Sequence, residues 1–92
     1  MQSENKNLVI VGKKATMNYV IACLTLFNSG KKDVIIKARG KPISRAIETV
    51  EMLRTSFIKN LKINNILIGS QDYTLMGKPR SISTIEISLS KQ

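Results

Sequence analysis

The 92-residue sequence contains no histidine, no tryptophan, one cysteine and six acidic residues. The absence of histidine excludes every catalytic or metal site that depends on an imidazole. No two of the few carboxylates share an apolar setting that would separate their pKa values, so that one could act as a general acid and the other as a general base. We therefore expect a binding protein and not an enzyme, with no metal and no cofactor.

The single cysteine, Cys23, can form no internal disulfide, so an oxidising compartment is not indicated. It lies in an apolar helical run, which is typical of a small buried side chain. The first seven residues are polar and lack the apolar segment of a signal peptide. No apolar run approaches the ~20 residues needed to cross a bilayer. We expect an intracellular, soluble protein without membrane partners, with a flexible tail at residues 1–7 and one domain at residues 8–92.

Positive charge dominates the composition. Fifteen lysines and arginines oppose six acids, which gives a formal net charge of +9 and a sequence pI near 10.1. Apolar residues make up 42% of the chain and charged residues 23%, so the sequence is that of a folded domain and not of a disordered basic tail. An excess of this size favours polyanionic partners, and nucleic acid is the first candidate.

Hydrophobic patterning predicts an α+β domain with the order β-α-β-α-β-β, a compact sandwich with both helices on one face of the sheet. The strands are expected at residues 8–12, 34–39, 61–71 and 82–89, and the helices at residues 16–28 and from Pro42 to about Lys59. Thr16 is a possible N-cap. The first helix is apolar nearly all round, which predicts burial on more than one side and suggests a second subunit.

A strand, a glycine, a group of cations and a helix follow one another twice in this chain. Lys13 and Lys14 follow the first strand, and Arg39 and Lys41 flank the glycine that ends the second. If these strands are parallel, the four cations lie at one end of the sheet, beside two helix N-termini that favour anions. Lys31 and Lys32 would lie at the opposite end. The alternative for each cation is an ordinary solvated surface charge.

The segment 72–81 contains two further cations, Lys78 and Arg80. As a β-ribbon extending ~4 residues beyond the sheet, it would reach ~13 Å, enough to enter a minor groove ~6 Å wide. Of the four aromatic residues, only Tyr73 is placed to touch a base, and Tyr19 and Phe27 are expected in the core. The alternative is a flexible surface loop with two incidental charges.

Five motifs lie in order between about Leu8 and Leu89. They are Val-Gly-Lys-Lys-x-x-Met-Asn-Tyr-Val at 11–20, Ile-Lys-Ala-Arg-Gly-Lys-x-Ile-Ser-Arg-Ala at 36–46, Glu-Thr-Val-Glu at 48–51, Ile-Gly-Ser at 68–70 and Ser-Thr-Ile-Glu-Ile at 83–87. In sequence and spacing they resemble the archaeal chromatin family Alba. The resemblance implies a fold like that of the C-terminal domain of a bacterial translation initiation factor. It also implies a homodimer, or a mixed dimer with a paralogue, associated with the chromosome in the cytoplasm.

In that family the dimer body sits over duplex DNA while two β-hairpin arms follow the minor groove, and RNA is bound as well. We take the following residues as candidate nucleic-acid contacts: Lys13, Lys14, Asn18, Lys37, Arg39, Lys41, Arg45, Lys78 and Arg80. Lys13 matches the lysine whose modification, by acetylation, is linked to weaker binding. Phe57 falls where many members place an apolar residue that joins neighbouring dimers cooperatively along DNA.

The resemblance therefore implies a sequence-nonspecific architectural protein that coats or compacts DNA. Two alternatives remain open from the sequence. The chain could serve chiefly RNA structure or stability, since RNA grooves would change how the arms dock. It could instead be a subunit of an RNA-processing particle, in which case Phe57 and the second helix would bind another protein.

Overall fold

A computed structural model describes residues 7–91. Its α+β fold contains a four-stranded mixed sheet in the order β1-β2-β4-β3. The elements are β1 (Leu8–Ile10), α1 (Thr16–Asn28), β2 (Asp33–Arg39), α2 (Ile43–Met52), a π-helical turn (Leu53–Phe57), β3 (Leu61–Leu75) and β4 (Lys78–Lys91). The predicted element order and fold class are thereby confirmed.

The core occupies one face of the sheet. Alternate residues of β2 and β4 are buried, and both helices pack on β2, so both cover the same face. The residues buried from the two strands are Val34, Ile36, Ala38, Ile85, Ile87 and Leu89. No helix within residues 7–91 lies over the opposite face, and we call it the open face. Ile10 at the edge of the sheet lies there exposed, so β1 is not covered on both sides as its apolar sequence suggests.

The hairpin formed by β3 and β4 extends well beyond the rest of the sheet. Its ladder runs from Leu61 opposite Lys91 to Leu75 opposite Lys78, with one irregularity between Ile63 and Asn65. β2 pairs with β4 only from residues 84 to 90. We call residues 71–82 the arm; each of its strands reaches roughly 17 Å beyond the sheet at ~3.3 Å per residue. The arm is therefore a hydrogen-bonded ribbon, longer than the sequence predicts, and not a loop.

Helix α1 has the predicted bounds but is covered on one side only. Val20, Cys23 and Phe27 are buried, whereas Met17 and Ile21 are exposed, so the expected burial on several sides is not found within one chain. Burial raises the pKa of the Cys23 thiol to about 12, as expected for an unreactive core residue. No helix within residues 7–91 combines the length and apolarity needed to span a membrane.

Helix α2 ends in a π-helical turn that alters its buried face. The Ile58 N–H donates to the Leu53 carbonyl at 2.7 Å, so the last apolar positions are spaced by five residues. Leu53 and Ile58 are buried, whereas Phe57 is 44% exposed. An uninterrupted 3.6-residue period would place Ile47 and Phe57 on the core side of the helix, but both are exposed.

The predicted tail at residues 1–7 lies outside the described residues except for Asn7. The Asn7 carbonyl accepts a hydrogen bond of 2.8 Å from the Ile35 N–H, which extends the β1–β2 ladder by one residue.

Candidate nucleic-acid interface

The two basic loops meet at one end of the sheet. β1 and β2 are parallel, with Ile10 opposite Lys37, and the Val11 N–H donates to the Lys37 carbonyl at 2.8 Å. We call residues 12–15 loop 1 and residues 40–42 loop 2. Parallel strands place both loops at the same end of the sheet, as the sequence predicts. Lys31 and Lys32 precede β2 and therefore lie at the opposite end of the sheet.

Loop 1 takes its shape from a tyrosine hydroxyl. The Oη of Tyr19 accepts hydrogen bonds from the Gly12 N–H at 2.9 Å and the Lys14 N–H at 3.0 Å. A Cβ at position 12 would lie 3.5 Å from the same oxygen. The sequence places Tyr19 in the core by its helical position. The structure instead leaves the residue half-buried, with the hydroxyl at the edge of the helix holding the loop that carries Lys13 and Lys14.

Arg45 holds the same loop from the second helix. Its Nη1 donates to the Gly12 carbonyl at 2.7 Å, and the residue is half-buried. The guanidinium of Arg45, a candidate nucleic-acid contact, therefore donates to a backbone oxygen of loop 1. A second link joins the helices, where the Thr16 Oγ1 donates to the Glu48 Oε1 at 3.0 Å. Thr16 makes no cap hydrogen bond, and Ala15 occupies the N-cap position of α1.

Loop 2 is joined to the base of the arm through Gly40. Its N–H donates to the Ser83 carbonyl at 2.8 Å, and its φ of +70° is in the left-handed region. The Ile82 side chain covers the glycine so closely that an added Cβ would lie 2.9 Å from its Cδ1. The positive φ favours glycine here, and a Cβ would in addition have to displace the end of the Ile82 side chain. The contact connects the cations of loop 2 with those of the arm.

The strand register continues the positive surface onto the arm. Lys37 and Arg39 are opposite Glu86 and Thr84, and alternate residues of β4 from there include Arg80 and Lys78. These four cations therefore lie on the open side of the sheet, and the right-handed twist rotates that side along the arm. Lys37 is the one of them with an ion pair to a residue between 7 and 91, at 3.7 Å from the Glu86 Oε1.

A groove of about 860 Å³ joins these parts. Its lining includes Lys13 from loop 1, Pro42 from loop 2, Lys37 and Arg39 from β2, and Ser70 and Gln71 from the base of the arm. Within residues 7–91, Lys13, Lys14, Arg39, Lys41, Lys78 and Arg80 form no ion pair. The same part of the chain holds no cluster of His, Cys, Asp or Glu that could bind a metal. The arrangement is thus suited to binding an extended anion.

Of the two remaining predicted site residues, Asn18 lies beside loop 1 and Phe57 lies apart from the cations. Asn18 is exposed on the first turn of α1, and its amide Nδ2 donates to the Ala15 carbonyl at 3.3 Å. Phe57 lies at the far end of α2 and its π-helical turn, roughly 20 Å from loop 2 at ~1.5 Å per helical residue. Phe57 therefore belongs to a different surface from the basic loops.

Comparison with known sequences places this geometry in a family. The family model described as Alba matches residues 7–70. The chain is 43% identical over 86 residues to the DNA/RNA-binding protein Alba of Methanocella arvoryzae, which covers 92% of this chain and 90% of the relative. It is 46% identical over 88 residues to the protein of the same name from Thermoplasma volcanium, covering 94% and 97% respectively.

Solved structures agree with the sequence comparison. Alba from Thermoplasma volcanium superposes with a TM-score of 0.87 at 42% identity, covering 92% of this chain and all of that one. ALBA1 from Trypanosoma brucei superposes with a TM-score of 0.77 at 28% identity, covering 94% of this chain and 69% of the other. On the matched family model, the identity and the shared fold, this chain belongs to the Alba family.

Proposed function

We propose that this chain is a sequence-nonspecific architectural protein that coats or compacts double-stranded DNA and also binds RNA. The observation that carries the proposal is the groove where loop 1, loop 2 and the base of the arm meet, with their cations largely unpaired. Relatives over nearly the whole length are named DNA/RNA-binding proteins. Residues 8–92 act as a single binding domain that neutralises charge and performs no chemistry.

In this proposal the two loops contact phosphates and the arm follows the minor groove. Lys13, Lys14, Arg39 and Lys41 neutralise the backbone, and release of counterions drives association. Lys78 and Arg80 lie on one side of a ribbon roughly 17 Å long. That length exceeds the ~7.5 Å depth of the minor groove, so the ribbon can follow the groove as well as enter it. Backbone contacts of this kind read little sequence.

A homodimer is supported by apolar surface that one chain leaves uncovered. Ile66 and Ile68 lie opposite the buried Ile87 and Ile85, so they continue the core side of the sheet beyond the helices. Ile68 is 82% exposed. Covering such a strip with a second copy would stabilise a small domain at about 25 cal/mol per Å² of apolar area. A paralogue with the same strip would form a mixed dimer.

Lys13 is the candidate for regulation by acetylation on the chromosome. It is exposed at the tip of loop 1, where a modifying enzyme can reach the side chain. Acetylation would remove its charge, and with it the ionic contact to phosphate.

The proposal predicts that Lys13→Gln weakens binding and flattens its salt dependence. Each lost phosphate contact should reduce the slope of log K against log salt by about 0.9 on B-DNA. The measurement is titration of a fluorescent duplex at several salt concentrations. Lys32→Gln is the matched control, because it removes the same charge at the opposite end of the sheet and should leave the slope unchanged.

The same titration with unrelated duplexes and a structured RNA separates the alternatives. Similar affinity across DNA sequences with a steep slope supports architectural binding. Stronger binding to structured RNA would make RNA the main ligand. If Lys13→Gln and Lys32→Gln have equal slopes, loop 1 is not at the interface. Weak binding of the wild type to both nucleic acids would overturn the proposal and favour a protein partner.

A second prediction concerns cooperativity through Phe57. Phe57→Ala should leave isolated dimers intact, because the ring is half-exposed on the π-helical turn, whereas the Ile66–Ile68 strip is on β3. It should reduce cooperative coating of long DNA, so its binding isotherm on a kilobase fragment should be shallower than that of the wild type, with no difference between the two on a short duplex. Light scattering of the free protein provides the check. A monomeric Phe57→Ala protein would place Phe57 in the primary dimer contact and contradict this assignment.

A further inference from the structure

The tip of the arm is an apolar turn in an unfavourable conformation for its sequence. Leu75 pairs with Lys78 across a two-residue turn, Met76-Gly77, in which φ is +52° at Met76 and +78° at Gly77. Two positive φ angles are typical of a type I′ turn, for which Asn-Gly is strongly favoured. Methionine has no short polar side chain to compensate the left-handed backbone. The hairpin alone therefore gives no reason for methionine at this position.

The exposure of the tip is equally hard to explain by folding. Met76 is 92% exposed and Leu75 is 50% exposed, at the turn that ends the arm. Tyr73, also partly exposed, lies opposite Arg80 and on the same side of the ribbon as Leu75. The arm thus combines an apolar tip with a cationic stem. Phosphates would bind the stem, whereas only an apolar surface such as the faces of stacked bases would cover the tip.

On the basis of the proposed DNA-binding function, we propose that Met76, supported by Leu75, is a wedge that inserts between base pairs from the minor groove. Apolar side chains used in this way unstack one base step and bend the duplex toward the major groove by about 20–90°. Methionine is suited to the role because its unbranched, flexible side chain adapts to an irregular slot. The left-handed turn presents it outward, clear of both strands of the ribbon.

Insertion would give this otherwise nonspecific protein a preference for deformable steps. Pyrimidine–purine steps such as TA and CA/TG unstack most easily, whereas A-tracts are stiff. We therefore expect the wedge to occupy TA steps in preference to A-tract positions. The arm stem would still follow the backbone with no choice of sequence.

The test is ring closure of DNA fragments shorter than the ~150-bp persistence length, with wild-type protein and Met76→Asn. Asparagine suits the type I′ turn, so this substitution removes the wedge and keeps the hairpin. Wild-type protein should accelerate ring closure about tenfold or more, because a kink removes much of the bending cost. Met76→Asn should lose most of that acceleration and retain the salt slope of binding. Met76→Leu, which keeps an apolar wedge, should retain the acceleration.

Fluorescence of 2-aminopurine placed at a single TA step measures unstacking directly. It should rise with wild type and Met76→Leu and stay low with Met76→Asn. Equal ring closure by wild type and Met76→Asn would overturn the wedge, as would bound wild-type protein that neither bends nor unstacks the duplex. In both cases binding persists, so the proposed function is untouched. Absence of binding by the wild type would instead remove the proposed function, and the wedge with it.

Discussion

Gly40→Ala is expected to lower the free energy of unfolding by about 2–5 kcal/mol, from left-handed backbone strain of ~1–2 kcal/mol and overpacking of ~1–3 kcal/mol. The first contribution comes from the φ of +70°. The second comes from the Ile82 Cδ1, 2.9 Å from the new methyl group, and from its Cγ1 at 3.3 Å. Urea denaturation followed by circular dichroism measures the loss. Displacement of Ile82 should also loosen the arm base, so DNA affinity should fall with stability.

Two variants separate these contributions. Gly30 also has a positive φ, +101°, but no atom lies within 4 Å of its added Cβ. Gly30→Ala should therefore show the backbone strain alone. The second variant combines Gly40→Ala with Ile82→Ala, which removes the side chain that the new methyl group would contact. Compared with Ile82→Ala alone, this double variant should lose only the free energy of the backbone strain. Equal losses for Gly40→Ala and Gly30→Ala would show that the Ile82 contact does not matter.

Tyr19→Phe should weaken DNA binding by about tenfold without changing its salt dependence. The substitution removes the acceptor of two backbone N–H groups, and with it about 1–3 kcal/mol of the free energy that holds loop 1 in place, at ~1 kcal/mol per hydrogen bond. Binding must then order the loop, and each 1.4 kcal/mol of that cost lowers the affinity tenfold. No charge and no phosphate contact is lost, so the slope against log salt should equal that of the wild type. Lys13→Gln, by contrast, should change the slope. Hydrogen exchange at the Gly12 and Lys14 amides should be faster in Tyr19→Phe.

Arg45→Met tests the other side of the same loop. If Arg45 only positions Gly12, the variant should behave like Tyr19→Phe, with weaker binding and an unchanged slope. A slope smaller by about 0.9 per subunit would show that Arg45 itself contacts phosphate. For Tyr19→Phe, wild-type affinity together with wild-type amide exchange would mean that loop 1 needs no support from the hydroxyl.

Periodicity was sufficient for the fold and for the meeting of the two loops. Apolar runs interrupted by glycine predict the strands, and the bounds of α1 were found as expected. The parallel arrangement of β1 and β2 then follows from a helix between them, and with it the proximity of Lys13 and Arg39. These inferences depend on patterns that repeat over many residues, so no single side chain decides them.

The support of loop 1 could not be predicted, because it depends on individual atoms. Helical position places the ring of Tyr19 near the core but does not indicate that its hydroxyl reaches two backbone amides of another segment. Arg45 is similar, since its long side chain can extend to solvent or fold back onto the Gly12 carbonyl. The π-helical turn was not predicted either, because it interrupts the 3.6-residue period at the end of the second helix. The arm carried no periodic signal because both of its sides are exposed.

The strand order also has a consequence for how the chain folds. β4 pairs on one side with β3, its immediate neighbour in the chain, and on the other with β2, which is remote in sequence. The β3–β4 hairpin needs only a two-residue turn and can form from local contacts. The β2–β4 ladder requires closure of a long intervening loop, whose entropy cost must be met before any of its contacts form. We therefore expect the pairing of β4 with β2 to limit the folding rate, and the arm lies outside that ladder.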